Sequence, residues 1–200
     1  MKIKNALYLI LLVVTSTTLL SETPQENVRK DFETYLNHLI NQEFTESVEY
    51  LYPELFAFAP KEQIISTMEQ TFNSPEIQIS LTSPNILNTG EIRLIDSAYY
   101  CKLTYSHQMY MKFNQDTTLS ADDIALRDEM TLANLKSTFG EDNVSYDSVN
   151  NSFDILSEKD SYGKSINGKT EWKFVDVDAN QIMLLNALLP QKIVDEITTE

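Results

Sequence analysis

The chain is poor in cysteine, histidine and glycine, and each scarcity excludes a kind of site. Of its 200 residues, one is cysteine, two are histidine and four are glycine. The lone Cys101 rules out an internal disulfide. So few glycines argue against loops that cradle a phosphate, and the chain has no Gly-x-Gly-x-x-Gly, P-loop, Gly-x-Ser-x-Gly or His-Glu-x-x-His motif. His38 and His107 share no ligand spacing, so we expect neither a metal nor a cofactor.

Basic residues are half as numerous as acidic ones. Fifteen Lys and Arg residues stand against 30 Asp and Glu residues, and the formal net charge is −15. A surface of this sign repels nucleic acids and anionic membranes, so we expect no nucleic-acid partner. The acidic residues are scattered along the chain, which indicates a solubilising surface.

A long apolar segment occurs only near the start of the chain. Lys2 and Lys4 precede an apolar run from Ala6 to Val14, which fades into Thr and Ser residues. This pattern predicts a secretory signal peptide over residues 1–22, with cleavage between about Thr17 and Glu22. A transmembrane anchor would need roughly 20 apolar residues. No cysteine follows the run, so a lipoprotein anchor is not indicated.

The export signal predicts a secreted or periplasmic protein that has no stable membrane insertion after cleavage. Cleavage before Glu22 removes Lys2 and Lys4 but no acidic residue, and changes the formal charge from −15 to −17. The remaining chain, residues 23–200, is long enough for one domain with a substantial core.

The most regular stretch, Tyr99 to Phe113, alternates apolar and polar side chains at period two, which predicts a β-strand with one buried face. The apolar face comprises Tyr99, Cys101, Leu103, Tyr105, Met109, Met111 and Phe113. His107 is the only polar residue on that face, and Cys101 is expected there as a small buried hydrophobic residue. The stretch exceeds the usual strand of roughly 3 to 10 residues, so we expect a bend or a bulge.

Helices are predicted before and after this strand. Thr23-Pro24-Gln25-Glu26 forms a capping box, which starts a helix that runs to Ile40. Helical spacing and cap residues predict the others: about Thr45 to Tyr52, Pro60 to Phe72, Asp123 to Phe139 ended by Gly140, and one from Asp178 to Pro190, followed by a final apolar turn. Leu126, Met130 and Ala133 lie opposite the main apolar stripe of the fourth helix, which suggests that two of its faces are covered.

Shorter strands surround the long one. Alternation predicts strands at Glu76 to Thr82, Glu91 to Ile95, Val144 to Tyr146, Ser152 to Glu158, Gly163 to Ile166 and Thr170 to Val177. Asn167-Gly168 is predicted as a hairpin turn, because both residues tolerate positive φ. Trp172 and Phe174 are expected on the core face of the last strand. The fold class is therefore α+β, with N-terminal helices on a curved antiparallel sheet and additional mid-chain and C-terminal helices.

This order of elements, together with stretches such as Leu51-Tyr52-Pro53-Glu54-Leu55-Phe56, resembles the nuclear transport factor 2-like, or cystatin-like, family. The resemblance implies a cone, in which a bent antiparallel sheet wraps a long N-terminal helix. It covers roughly Thr23 to Phe113 and Ser152 to Val177, and the two later helices depart from the minimal fold. The family includes isomerases, dehydratases and non-catalytic binding proteins, so the resemblance leaves the function open.

Candidate site residues are those expected to face the interior of the cone: Tyr35, Tyr99, Tyr105, His107 and Met109. Together with the export signal, these residues predict an extracytoplasmic binding or interaction module. Its partner would be an unknown small molecule or protein. The alternative is a cofactor-free acid–base enzyme of the isomerase or dehydratase type, with His107 as the weak catalytic candidate. Such an enzyme also needs an inward carboxylate, and Asp31 and Asp96 are the nearest options. The structural alternative is a core histidine hydrogen-bonded to a tyrosine or a carbonyl.

The stretch Asp176-Val177-Asp178-Ala179-Asn180 resembles the opening of a calcium loop. The sixth position is Gln181, where the loop needs glycine, and the twelfth is Ala187, where a bidentate Glu belongs. We therefore interpret it as the end of a strand followed by a helix cap.

Overall fold

Six strands form one open antiparallel sheet within the part of the chain that the computed structural model describes, residues 23–114 and 118–199. The strands are β1 (Ile77–Thr89), β2 (Arg93–Ile95), β3 (Ala98–Phe113), β4 (Val144–Asp147), β5 (Ser152–Ser165) and β6 (Lys173–Asp176). The main strand order is β1-β3-β5-β4, with β2 paired to β3 and β6 paired to β5. The predicted signal peptide lies outside the described residues.

The helices lie before, between and after the strands, so the α+β prediction is confirmed. They are α1 (Pro24–Ile40), α2 (Phe44–Ser47), α3 (Lys61–Phe72), α4 (Ala121–Phe139), α5 (Ile182–Leu188) and α6 (Gln191–Thr199). The capping box at the start of α1 is present: the Glu26 amide donates to Thr23 Oγ1 at 3.2 Å, and the Thr23 amide donates to Glu26 Oε2 at 2.6 Å. Gly140 ends α4 as predicted, with φ 101°.

The long strand β3 pairs with β5 without interruption, from Tyr99 opposite Ser165 to Lys112 opposite Ser152. The irregularities that its length predicts lie instead in the pairing with β1, on both sides of Asn85 and Ile86. Ser83 has φ 53° at this point. β1 therefore continues past Pro84 to Thr89, seven residues beyond the predicted end at Thr82, because bulges absorb the residues that do not fit the ladder.

Two predicted details of the later sheet are wrong. β5 is one strand of 14 residues, not two short ones, because it pairs with β3 along its length. Asn167-Gly168 is not a two-residue hairpin turn: β5 ends at Ser165 and β6 begins at Lys173. The Asn167 side chain instead accepts from the Lys169 and Thr170 amides at 2.8 and 2.9 Å, which closes an Asx turn inside a longer loop.

Side chains pack on both faces of the sheet. On the face that α1 covers, called the α1 face, a core forms from Val28, Phe32, Tyr35, Leu36, Ile86, Cys101, Leu103, Tyr105, Trp172 and Phe174. On the other face, α5 and α6 pack against Ala98, Tyr100, Tyr162 and Val175. Trp172 and Phe174 are fully buried, as predicted. Cys101 is buried too, and desolvation raises the pKa of its thiol to about 11.

α4 covers the end of the α1 face where β3 reaches Phe113. Its Leu132, Leu135 and Phe139 pack on a cluster around Phe153 and Ile155. The opposite side of α4 is exposed at Leu126 and Met130, so the prediction that two faces of this helix are covered is wrong. None of the helices in the described ranges has the length and apolar character needed to cross a bilayer.

Candidate functional site

A cleft of about 840 Å³ opens where the end of α4 approaches the middle of β5 and the end of β6. One wall comes from Thr138, Phe139 and Asn143, at the end of α4 and the turn after it. The floor includes Ser157 and Lys159 of β5 and Asp176, the last residue of β6. The cleft therefore lies beside the α1-face core and uses the same face of the sheet.

Strand register explains why these side chains share one face. Ser157 lies opposite His107, Lys159 opposite Tyr105, and Ser161 opposite both Leu103 and Asp176. Directly opposed residues in an antiparallel ladder project to the same side of the sheet. Three strands thus bring residues from distant parts of the chain to the edge of the cleft.

Asp176 is the most unusual group of the cleft. The Tyr105 hydroxyl donates to its Oδ2 at 2.8 Å, whereas its Oδ1 is shielded from solvent and has no hydrogen-bond partner among the described residues. The nearby Ser161 hydroxyl donates to the Val175 carbonyl at 3.0 Å. Desolvation raises the pKa of Asp176, and the charge of Lys159 and the hydroxyl groups of Tyr105 and Ser161 offset this only in part.

Aromatic rings fill the space beneath Asp176. Tyr105 meets Phe32 edge to face with ring centroids 5.1 Å apart, and Tyr35 stacks on Phe174 at 6.0 Å. Burial raises the pKa of both tyrosines, and the nearby Asp176 raises it further. The region between α1 and the sheet is thus a filled core, and the open space lies beyond it, toward α4.

His107 is partly buried and stacks on Tyr105, with ring centroids 5.9 Å apart. Its imidazole ring forms no hydrogen bond to another residue in the described ranges. Desolvation lowers the pKa of His107, and the positive charge of Lys159 lowers it further, so the ring is neutral at pH 7. Opposite it, the Ser157 hydroxyl is buried and also lacks a partner within the described chain.

The carboxylates considered as partners of His107 lie elsewhere. Asp31 accepts from the Trp172 amide at 3.1 Å, which ties α1 to the start of β6. Asp96 is exposed in the two-residue turn between β2 and β3, where it and Ser97 have φ 47° and 71°. Asp176 is bonded to Tyr105, on which His107 stacks, but it makes no contact with His107 itself among the described residues.

The five predicted ligand-binding residues are therefore spread over the α1 face. Tyr35 and Tyr105 lie near Asp176, and His107 stacks on Tyr105. Tyr99 lies six residues, or about 20 Å, from Tyr105 along β3, where its ring covers Gly168. Met109 packs beneath α4 in the cluster around Phe153. None of the five lines the 840 Å³ cleft itself.

Sequence reasoning missed Ser157 and Asp176 as site residues. Alternation along the strand could have identified Asp176, because it follows Trp172 and Phe174 at intervals of two residues and therefore lies on the same buried face. Ser157 follows Phe153 and Ile155 in the same way. Asp178 behaves as the predicted cap, since its carboxylate accepts from the Asn180 amide at 2.9 Å.

The described residues contain no group of three or more His, Cys, Asp or Glu side chains that could hold a metal ion. Comparisons with protein-family models, with curated proteins and with solved structures find no match to this chain.

Proposed function

We propose that this protein binds a small molecule in the cleft between α4, the middle of β5 and the end of β6. One observation carries the proposal: two polar atoms at the cleft, Asp176 Oδ1 and Ser157 Oγ, are buried without a hydrogen-bond partner in the described chain. A buried polar atom that lacks a partner costs about 1–3 kcal/mol, and folded proteins rarely retain such atoms. A ligand that bonds to both atoms would remove this cost.

We propose that the architecture is that of nuclear transport factor 2-like proteins. A long N-terminal helix packs on an open antiparallel sheet, as in the cone of that family. α4 closes part of the α1 face, which restricts entry to the side where the cleft opens. The proposed site is accordingly displaced from the centre of the cone toward α4.

We further propose that the protein acts outside the cytoplasm. The support is the basic and apolar pattern of residues 1–22, which stops directly before the capping box at Thr23. A helix that begins at the first residues after cleavage needs this cap to satisfy its free amides.

Native mass spectrometry of protein purified from its own host tests the binding function. We expect a co-purifying molecule with the wild-type protein and less of it with Ser157→Ala. Asp154→Ala is the control, because Asp154 lies on the same strand but faces away from the cleft. Equal retention by Ser157→Ala, or a wild-type protein free of any adduct, would contradict the proposal.

The second candidate is a cofactor-free acid–base enzyme, and the Tyr105–Asp176 bond favours it. A desolvated carboxyl group with a raised pKa is suited to proton transfer, and the tyrosine that donates to it stacks on His107. The lack of a direct bond between His107 and a carboxylate favours the binding module. Incubating the co-purified molecule with the protein in D₂O distinguishes the two, because an isomerase would exchange carbon-bound protons and Asp176→Asn would abolish this exchange.

A further inference from the structure

The edge of β5 that faces away from β3 has a gap between two strands. β4 pairs with this edge as far as Ile155, and β6 pairs with it from Ser161. Beyond β6, the Val177 amide donates to the Asp160 carbonyl at 2.8 Å. Residues 156–159 therefore have no strand beside them on this edge, over a length of about 13 Å. The 840 Å³ cleft lies at this gap, because three of these four residues line it.

The main chain of Glu158 points into the gap. Along an extended strand, the N–H and C=O groups of successive residues point to alternate edges of the sheet. The Asp160 carbonyl faces the β6 edge and β5 pairs with β3 without interruption, so both main-chain groups of Glu158 face that same edge. They form no hydrogen bond to a residue in the described ranges. The gap thus offers the donor and acceptor that one peptide residue exchanges with another across an antiparallel ladder.

Ser157 places an unpartnered side chain next to these main-chain groups. Its Oγ is buried, has no hydrogen-bond partner in the described chain and lines the cleft together with Phe139 of α4. A residue directly opposite Ser157 on an added strand would project its side chain to the same face, with the two Cβ atoms about 4.5–5.5 Å apart. A hydroxyl or amide side chain at that position can bond to Oγ.

We propose that the ligand is a short peptide in extended conformation that pairs with β5 in this gap. One of its residues exchanges two main-chain hydrogen bonds with Glu158, and the side chain of the next residue bonds to Ser157. This assignment rests on the proposed binding function and names its ligand class. The peptide runs antiparallel to β5, as β4 and β6 both do on this edge. Main-chain bonds supply affinity in such strand addition, and the contacts of alternate side chains supply specificity.

Turns at both ends of the gap limit the ligand to about three extended residues. After Val177 the chain enters a single helical turn at Ala179–Gln181, and another turn at Glu141–Asn143 precedes β4. An extended chain that continued along the gap would run into these segments. A free short peptide therefore fits, whereas a long strand of a partner protein does not.

The probe Ac-Ala-Ala-Ser-NH₂, titrated into the protein and followed by NMR, tests the main-chain pairing. We expect it to slow hydrogen exchange of the Glu158 amide. The same peptide with its second alanine N-methylated lacks the N–H that would donate to the Glu158 carbonyl, and it should bind about tenfold or more weakly. Glu158→Ala keeps the main chain and should retain binding. Glu158→Pro removes the amide and should lose binding, and proline is tolerated where a strand N–H has no ladder partner.

Two further comparisons test the side-chain contact and the length limit. The wild-type protein should prefer Ac-Ala-Ala-Ser-NH₂ to Ac-Ala-Ala-Ala-NH₂, and Ser157→Ala should abolish this preference. A nine-residue peptide with the same three central residues should bind more weakly than the short one. Equal or tighter binding of the long peptide would refute the assignment to free short peptides.

Equal binding of the N-methylated peptide would overturn the proposal, as would no binding of the parent peptide. This comparison uses only the wild-type protein, so it decides the main-chain pairing even if Glu158→Pro does not fold. The host-purified protein separates this result from the wider function. A co-purifying molecule that depends on Ser157 but contains no peptide bond would refute the peptide assignment and leave ligand binding intact.

Discussion

Replacing Asp176 with Asn should stabilise the folded protein at neutral pH. The substitution keeps an oxygen that can accept from the Tyr105 hydroxyl, but it removes a charge that burial makes costly. In the wild-type protein, Oδ1 has no donor among the described residues. The amide that replaces it carries an unpartnered N–H₂ group, which costs less than an unpartnered charge because it is neutral.

The size of this stabilisation follows from the burial of Oδ1. An unsatisfied buried polar group costs about 1–3 kcal/mol, and the unpartnered amide group of the variant still carries part of that cost. We therefore expect Asp176→Asn to raise the free energy of unfolding by about 1–2 kcal/mol. For a domain of this size, each kcal/mol raises Tm by about 2–4 °C.

The gain must depend on pH. Because the pKa of Asp176 is raised in the folded state, the folded protein binds more protons than the unfolded chain between the two pKa values. The free-energy cost of burying the Asp176 charge is therefore absent below the pKa of Asp176 in the unfolded chain, about 3.9. It is fully present above the pKa of Asp176 in the folded protein. The stability difference between Asp176→Asn and the wild type should thus grow as pH rises through this window.

Urea unfolding of both proteins between pH 4 and pH 8, followed by Trp172 fluorescence, measures this difference. Asp154→Asn is the control, because it removes one charge from the outward side of β5. The reasoning is refuted if Asp176→Asn is less stable than the wild type at pH 7, or if the difference does not change with pH.

Three further predictions concern single residues, and a fourth concerns export. Tyr105→Phe should cost about 1–3 kcal/mol in urea unfolding, because Asp176 loses its donor, whereas Tyr110→Phe on the opposite face should not. His107→Leu should change Tm little or raise it, since no hydrogen bond within the described chain is lost; a Tm below that of His107→Gln would contradict this. Trp172 fluorescence should be blue-shifted and resist iodide, and free quenching would mean an exposed face. Sequencing of exported protein should begin between about Thr17 and Glu22, and a start at Met1 would refute export.

Features that depend on local chemistry could be predicted from the sequence. The capping box at Thr23, the helix-ending Gly140 and the period of β3 are local signals, and the structure contains the elements they predict. The burial of Trp172 and Phe174 follows from alternation over a few residues. These features need no knowledge of which strands pair.

Features that depend on pairing could not be predicted in this way. The centre of β5, from Lys159 to Ser161, is too polar to indicate a strand, and its pairing with β3 keeps it extended. The bond between Tyr105 and Asp176 joins residues 71 positions apart and requires the registers of two strand pairs. A site assembled by long-range register has no signature in any one stretch of the chain.

Because Cys101 is buried, chemical reaction of its thiol reports how often the fold opens. The thiol lies on the central strand, contacts the Gly90 carbonyl and titrates with a pKa of about 11, so reagents reach it only when the strands separate. In an oxidising compartment a single thiol has no internal partner, and it can cross-link only to a second molecule. The rate at which covalent dimer accumulates would therefore measure how often the protein unfolds.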